Sequence, residues 1–94
     1  MTFTKRLHGP IERGEVTCTV RIWRRPRVRV GGRYRVAGGA VEVTAIRPIT
    51  LADITPELAR RSGFAGLVDL LKTARHGAGE NVYLIDFEFQ DGQP

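Results

Sequence analysis

The sequence Val16-Thr-Cys-Thr-Val-Arg-Ile22 decides the fold class of this chain. Four apolar residues alternate along it with two threonines and an arginine. Period-two alternation of this length is typical of a β-strand that buries one face. We predict such a strand, with Cys18 as a buried, inert thiol on its apolar face. The other face carries Thr17, Thr19 and Arg21, and it lies in solvent or forms the wall of a polar pocket.

Further alternating segments predict the rest of a sheet. Residues 33–37 and 40–46 fit a second and a third strand, and the pair Gly38-Gly39 between them favours a tight hairpin. Residues 81–89 carry apolar side chains on both faces, which is typical of a central or barrel-closing strand. This last strand must then pair with an early one.

Two short helices are predicted before the last strand. Thr55 can cap the first helix, Pro56 suits its first turn and Gly63 can end it. The second helix spans residues 64–75 and is stopped by residues 76–79. Its core-facing stripe has helical spacing and consists of Leu67, Leu70, Leu71 and Ala74.

These elements predict an α+β fold, a small closed or half-closed β-barrel in which closure removes exposed strand edges. A chain of 94 residues suffices for one domain with a modest core. We assign the domain to residues 1–90 and expect residues 91–94 to be a frayed tail. Residues 3–13 fit a short helix or turn interrupted at Gly9-Pro10, and Gly14 opens the first strand.

Positive charge is concentrated in one segment. The net charge is +5, and residues 21–35 contain seven arginines with no lysine or carboxylate. The remaining residues carry eight basic side chains against ten acidic ones. Guanidinium groups bind phosphate bidentately and stack on bases, so this segment favours polyanion binding over a merely solvated loop. The predicted nucleic-acid contacts are Arg21, Trp23, Arg24, Arg25, Arg27, Arg29 and Arg33.

Several classes of protein are disfavoured by composition. No apolar run is long enough to cross a membrane, and the first residues lack the apolar stretch of a secretory leader. One cysteine permits neither an internal disulfide nor a cysteine-cluster zinc site, which suits a reducing cytoplasm. His8 and His76 are far apart and lack metal-ligand spacing. We predict no metal and no cofactor.

Taken together, several motifs resemble the ASCH domain, a branch of the PUA-like superfamily. Residues 14–21, Gly-Glu-Val-Thr-Cys-Thr-Val-Arg, resemble its first-strand signature Gly-x-Lys-x-x-Thr-x-Arg. Further segments resemble its later elements in the right order across nearly the whole chain, and these are residues 30–34, 41–44, 53–59, 63–64 and 82–87. The resemblance implies a PUA-like β-barrel with one or two short helices inserted before the last strand.

The resemblance also implies RNA binding and, in some members, hydrolysis. A small bacterial branch removes the acetyl group of N4-acetylcytidine with a Lys, a Thr and a Glu, and other members have been proposed to be ribonucleases. Thr19 matches the Thr, but Val16 stands at the Lys position and Ser62 near the Glu position. Neither can act as the base that a threonine nucleophile needs. Other groups near in sequence are possible substitutes, namely Glu15, Glu57 and His76.

Trp23 and Tyr83 are the aromatic candidates. Trp23 is either a platform on which a base stacks or a plug at the end of the barrel. Tyr83 lies either in the pocket beside Thr19 or in the core. The predicted pocket residues are Thr17, Thr19, Arg21, Ser62 and Tyr83.

The favoured function is an RNA-binding module. It would hold one unstacked nucleotide in a pocket at the barrel mouth, with the arginines on phosphates, and the RNA could be a tRNA or carry a modified nucleoside. The first alternative is a hydrolase that acts on a modified nucleoside such as N4-acetylcytidine through Thr19. The second is a protein-interaction module that meets an acidic partner through its basic segment.

Overall fold

The computed structural model describes residues 1–74 and 79–91 and has an α+β fold. Four antiparallel strands form one curled sheet, a half-barrel with the order β1-β4-β3-β2. The strands are β1 (Cys18–Trp23), β2 (Arg33–Val36), β3 (Gly39–Ile49) and β4 (Asn81–Asp91). The α-helices are α1 (His8–Glu12), α2 (Pro56–Arg61) and α3 (Leu67–Ala74), with 3₁₀ turns at Lys5–Leu7 and Leu51–Asp53.

The last strand lies in the middle of the sheet. It pairs with β1 on one side, where Arg21 is opposite Tyr83, and with β3 on the other, where Val43 is opposite Phe87. Apolar residues from both of its faces, such as Leu84 and Ile85, are buried. The prediction that the last strand pairs with an early one is therefore confirmed, and β1 and β2 are the edge strands of this sheet.

The β2–β3 hairpin turns one residue earlier than predicted. Val36 pairs with Gly39, so the turn consists of Ala37 and Gly38, and Ala37 adopts a left-handed φ of 53°. Gly39 belongs to β3 because its backbone packs directly against β4, where a Cβ would collide with the Gln90 carbonyl oxygen. The close approach of two backbones, and not the turn, is what requires glycine at this position.

Strand lengths also differ from the predictions. β1 begins at Cys18 and not at Val16, whereas β3 extends to Ile49, beyond the predicted end at residue 46. β4 extends to Asp91, so the first residue of the predicted tail belongs to the sheet, and residues 92–94 lie outside the described part. A register shift between Val43 and Ala45 marks a β-bulge, which bends β3 and helps the sheet to curl.

The helix signals are largely confirmed, except that α3 begins at Leu67 and not at the predicted residue 64. Thr55 Oγ1 accepts a hydrogen bond from the Leu58 amide at 3.1 Å, Pro56 opens α2, and Gly63 follows its end with φ +93°. Gly9-Pro10 does not interrupt the first helix, because it lies in the first turn of α1, where proline is tolerated. The predicted helix stop at residues 76–79 lies mostly outside the described residues.

Both faces of the sheet are covered by apolar side chains. The larger cluster joins β1 and β4 to the helices through Leu7, Ile11, Phe64, Leu70 and Ala74, among others. Leu71, which was predicted to face the core, is exposed at 39% because it lies at the margin of the α3 stripe.

No helix in residues 1–74 and 79–91 is long and apolar enough to span a membrane.

Candidate functional site

Three side chains on one face of β1 define the site. Thr19, Arg21 and Trp23 alternate with Cys18, Val20 and Ile22, and all six residues are buried. Thr19 is 4% exposed and Arg21 is 7% exposed. The polar face predicted from the sequence is therefore an internal wall and not a solvated surface.

The Arg21 guanidinium contacts only neutral groups among the described residues. Its Nε donates to Thr19 Oγ1 at 3.1 Å, and one of its terminal nitrogens donates to the Thr2 carbonyl oxygen at 2.6 Å. The guanidinium carbon lies 5.0 Å from the centre of the Phe3 ring, which is a cation–π distance. These partners satisfy hydrogen bonds of Arg21 but leave its positive charge without a counter-ion.

Burial has an electrostatic consequence for Arg21. Loss of hydration lowers the pKa of its guanidinium to about 10, and no carboxylate of the described residues opposes that effect. In the part of the chain that the structure describes, the ion pairs of other arginines are all elsewhere, namely Arg6–Asp69, Arg13–Glu15 and Arg33–Glu42. Burying a cation without a counter-ion costs free energy, and an anion placed beside it would offset that cost.

Two clefts meet at Arg21. The inner cleft, about 180 Å³, lies at the free edge of β1 and is lined by Thr2, Phe3, Thr4, Leu7, Thr19, Val20, Arg21, Phe64 and Ala74. The outer cleft, about 220 Å³, is lined by Met1, Thr2, Arg21, Trp23 and Arg27. Thr2 and Arg21 belong to both, so the N-terminal segment and the guanidinium together form the partition between them.

The arginine loop, residues 24–32, leaves β1 beside the outer cleft. It is fixed at its start by Asn81, whose side-chain amide donates to the Arg24 carbonyl at 2.7 Å. Gly31 and Gly32 fix its end through hydrogen bonds with the Val43 backbone at 2.8 and 2.9 Å. Between these points only Val28 and Gly32 are buried, and Val28 packs with Trp23, Val43 and Ile85.

The exposed side chains of the loop are mostly cationic. Arg24, Arg25, Arg27 and Arg29 are all exposed, and within residues 1–74 and 79–91 none forms an ion pair. Arg33 follows on the edge strand β2, 3.6 Å from Glu42. The structure thus places one arginine, Arg27, in the wall of the outer cleft and leaves its neighbours free to contact a ligand outside it.

Other predicted site residues lie away from the clefts. Thr17 is exposed and precedes β1, and Tyr83 packs its ring 6.3 Å from that of Trp23. The Ser62 hydroxyl donates within its own helix, to the Leu58 and Ala59 carbonyl oxygens. Trp23 is 2% exposed and belongs to the smaller core cluster, which is the environment expected for a plug at the end of the barrel. None of Thr17, Ser62 and Tyr83 lines either cleft that contains Arg21.

Thr19 has no activating base among the groups that the structure describes. Its hydroxyl accepts a hydrogen bond from Arg21, which donates and cannot accept a proton. Val16 is buried in the apolar cluster, and Cys18 has a raised thiol pKa because burial disfavours the thiolate. His76, a possible substitute base, lies outside the described residues.

Sequence reasoning missed the N-terminal segment. Thr2 and Phe3 provide two of the three contacts of the Arg21 guanidinium, yet no motif marks them. The Thr2 contact uses a main-chain carbonyl, which every residue possesses, so no residue type could have revealed it. The apolar Val28 between Arg27 and Arg29 was a usable sign that the loop is anchored.

The chain matches no protein-family model, no curated protein and no solved structure. The features of the molecule that bear on its function are therefore the geometry of the clefts and the charges around them.

Proposed function

We propose that this chain is an RNA-binding module of the ASCH type within the PUA-like superfamily. One unstacked nucleotide occupies the clefts at Arg21, and the loop arginines hold neighbouring phosphates. The order of elements supports the family proposal, since α2 and α3 come between β3 and β4 and the last strand lies beside the first. The sequence motifs that resemble the ASCH domain supply the rest of that support.

The observation that carries the proposal is the buried, uncompensated Arg21 beside an exposed row of arginines. A solvated basic surface needs no buried guanidinium, and a structural arginine is normally paired with a carboxylate. Arg21 is 7% exposed and has neutral partners in the described residues, whereas Arg27 continues from the same cleft to solvent. The phosphates of an RNA strand that enters the cleft from solvent would neutralise both Arg21 and Arg27.

Single-stranded RNA suits the clefts better than a duplex. Neither cleft is wide enough for a helix of base pairs, but each has the scale of one base or one phosphate. Sequence-specific RNA recognition uses unstacked bases in loops, which stack on aromatic rings or guanidinium planes. The inner cleft offers Phe64 and Arg21 for such stacking.

The test is binding of a single-stranded RNA, a tRNA mixture and a duplex DNA at several salt concentrations. If about five phosphates are neutralised, log affinity for single strands falls with log salt with a slope near −3.5. Replacing Arg24, Arg25 and Arg27 with alanine removes about three contacts, which brings the slope to about −1.4 and weakens binding roughly 100-fold at ~0.1 M salt.

The matched control removes three exposed arginines from β3 and α2, namely Arg47, Arg60 and Arg61. It changes the net charge by the same amount but leaves the loop intact, so we expect a much smaller loss of RNA affinity. Equal losses in the two triple variants would mean that net charge alone attracts RNA. Unchanged affinity in the loop variant would disprove the proposal, and equal binding of all three nucleic acids would remove its RNA preference.

A hydrolase is the second proposal, and one contact favours it. Arg21 Nε donates to Thr19 Oγ1, and a guanidinium in that position stabilises a developing alkoxide. The proposal requires a base from outside the groups that contact Thr19 here. It predicts turnover of N4-acetylcytidine that Thr19→Ala abolishes and Thr19→Ser partly retains. No product at high enzyme concentration would exclude this substrate.

A further inference from the structure

The N-terminal strap, defined as residues 1–4, lies across the site and occupies the contacts that a nucleotide would use. The Thr2 carbonyl oxygen accepts from the Arg21 guanidinium at 2.6 Å, where a phosphate oxygen would accept. The Phe3 ring lies over the same guanidinium at 5.0 Å, where a base would stack. Each contact therefore has a counterpart in a nucleotide, but the strap lacks the negative charge.

The strap also divides the available space. Thr2 lines both clefts, and the two volumes of about 180 and 220 Å³ are separate because it lies between them. Either volume alone is below the range of about 300 Å³ upward that is usual for ligand pockets. Moving the strap would join the clefts along Arg21 and expose the guanidinium to a ligand of nucleotide size.

The strap is attached through the partly buried side chains of Met1 and Phe3, which pack against the core clusters. Phe3 is half-buried and tilts against Phe87 at 5.5 Å, and its carbonyl oxygen lies 3.3 Å from His8 Nε2. Thr2 and Thr4 are exposed, whereas Leu7, at the end of the following 3₁₀ turn, is 4% exposed and fixed in the core. The strap can therefore swing at Thr4 without unpacking α1.

We infer that the N-terminal strap is an internal pseudo-ligand, which the nucleotide displaces from Arg21 when RNA binds. The inference rests on the proposed RNA function and adds a regulatory step to the same site. The strap competes with RNA, so the free protein binds less tightly than its open form would. A phosphate prevails in this competition because it supplies the charge that the Thr2 carbonyl cannot.

The test compares the affinity of the wild-type chain and of Phe3→Ala for a single-stranded oligouridine. Loss of the ring over Arg21 should tighten binding about two- to 30-fold, which corresponds to the ~0.5–2 kcal/mol between an exposed and a desolvated cation–π contact. Phe3→Leu, which keeps an apolar contact with Phe87, should also tighten binding. In an Arg21→Gln background neither substitution should have any effect. Thermal melts show whether each variant is folded under the assay conditions.

A second measurement needs no variant. In the free wild-type chain we expect a nuclear Overhauser effect between the Phe3 ring protons and the Arg21 Nε–H, because the ring lies over the guanidinium, and saturation with oligouridine should abolish it. An Overhauser effect retained at saturation, or weaker binding by folded Phe3→Ala, would overturn the strap inference while RNA binding itself stands. Failure of every variant to bind RNA would instead overturn the proposed function.

Discussion

Arg21 and Arg25 are four residues apart in the sequence, yet they lie in opposite environments. Arg21 is 7% exposed on a strand, hydrogen-bonded to Thr19 and Thr2, whereas Arg25 is exposed on the loop that follows. The exposed arginines can follow any phosphate backbone because their long side chains adapt to it. Arg21 is held in one place and can accept an anion from only one direction.

In the proposed RNA complex, this contrast would separate affinity from recognition. Contacts between exposed arginines and phosphates release counterions, so they add affinity that depends on salt and little on sequence. A buried guanidinium in a narrow cleft makes few contacts, but their geometry decides what can occupy the site. The two regions meet at Arg27, which is exposed on the loop and also lines the outer cleft.

The largest effect in this comparison is expected from Arg21→Gln. Loss of one charge-assisted hydrogen bond with phosphate should cost about 2–3 kcal/mol, roughly a 30- to 150-fold loss of RNA affinity. The slope of log affinity against log salt should change by only about 0.7, which corresponds to one phosphate contact. The triple loop variant should change it by about three times that amount. Preference among RNAs should disappear, as competition binding would show. A change in slope with no loss of preference would mean that Arg21 acts only as another surface charge.

Much of the fold follows from local patterns in the sequence. Alternation in residues 16–22 and 81–89 suffices to predict two buried strands, and the signals at Thr55 and Gly63 predict α2. The ends of the strands are harder to predict because pairing with neighbouring strands decides where each strand stops. β3 continues through Pro48, which has no amide proton to donate but still lies opposite Tyr83 in the register.

The site is less predictable than the fold, for a physical reason. Alternation along β1 places Thr19 and Arg21 on one face, and the structure keeps them there, as neighbours in one cleft. Their burial, however, depends on the strap and on Phe64, which lie far away in sequence. Ser62 was placed in the pocket from its position in the family pattern, but its hydroxyl is hydrogen-bonded within α2.

A smaller effect should follow from a change where the two regions join. Gly79 packs against the backbone of Trp23 and Arg24, and an added Cβ would lie 2.6 Å from the Trp23 Cα. Gly79→Ala should therefore destabilise the fold by about 2 kcal/mol through overpacking and displace the start of the arginine loop. Gly66→Ala is the matched control because nothing lies within 4 Å of its added Cβ. Urea denaturation of both variants provides the measurement, and equal stabilities would mean that the contact at Gly79 is easily relaxed.

The smallest effect concerns the stability cost of keeping Arg21 charged. Arg21→Met replaces a buried cation with an apolar side chain, and we expect the free energy of unfolding to rise by about 1 kcal/mol near neutral pH while RNA affinity falls. No loop arginine should show this gain, because none has lost its hydration, and Arg25→Met provides the comparison.

The pH dependence gives this prediction its sharpest form. Burial lowers the pKa of Arg21 to about 10 in the folded chain, well below that of an ordinary, hydrated arginine. Below pH 10 the Arg21 guanidinium is charged in both the folded and the unfolded chain, and the full cost of burying that charge is present. Above pH 10 the unfolded chain binds more protons than the folded chain, so the contribution of Arg21 to stability rises with pH. Arg21→Met lacks the titrating group, and its advantage over the wild type should shrink as the pH rises from about 9 to about 11. A constant difference across that range, measured by denaturant unfolding, would mean that another group neutralises the buried guanidinium.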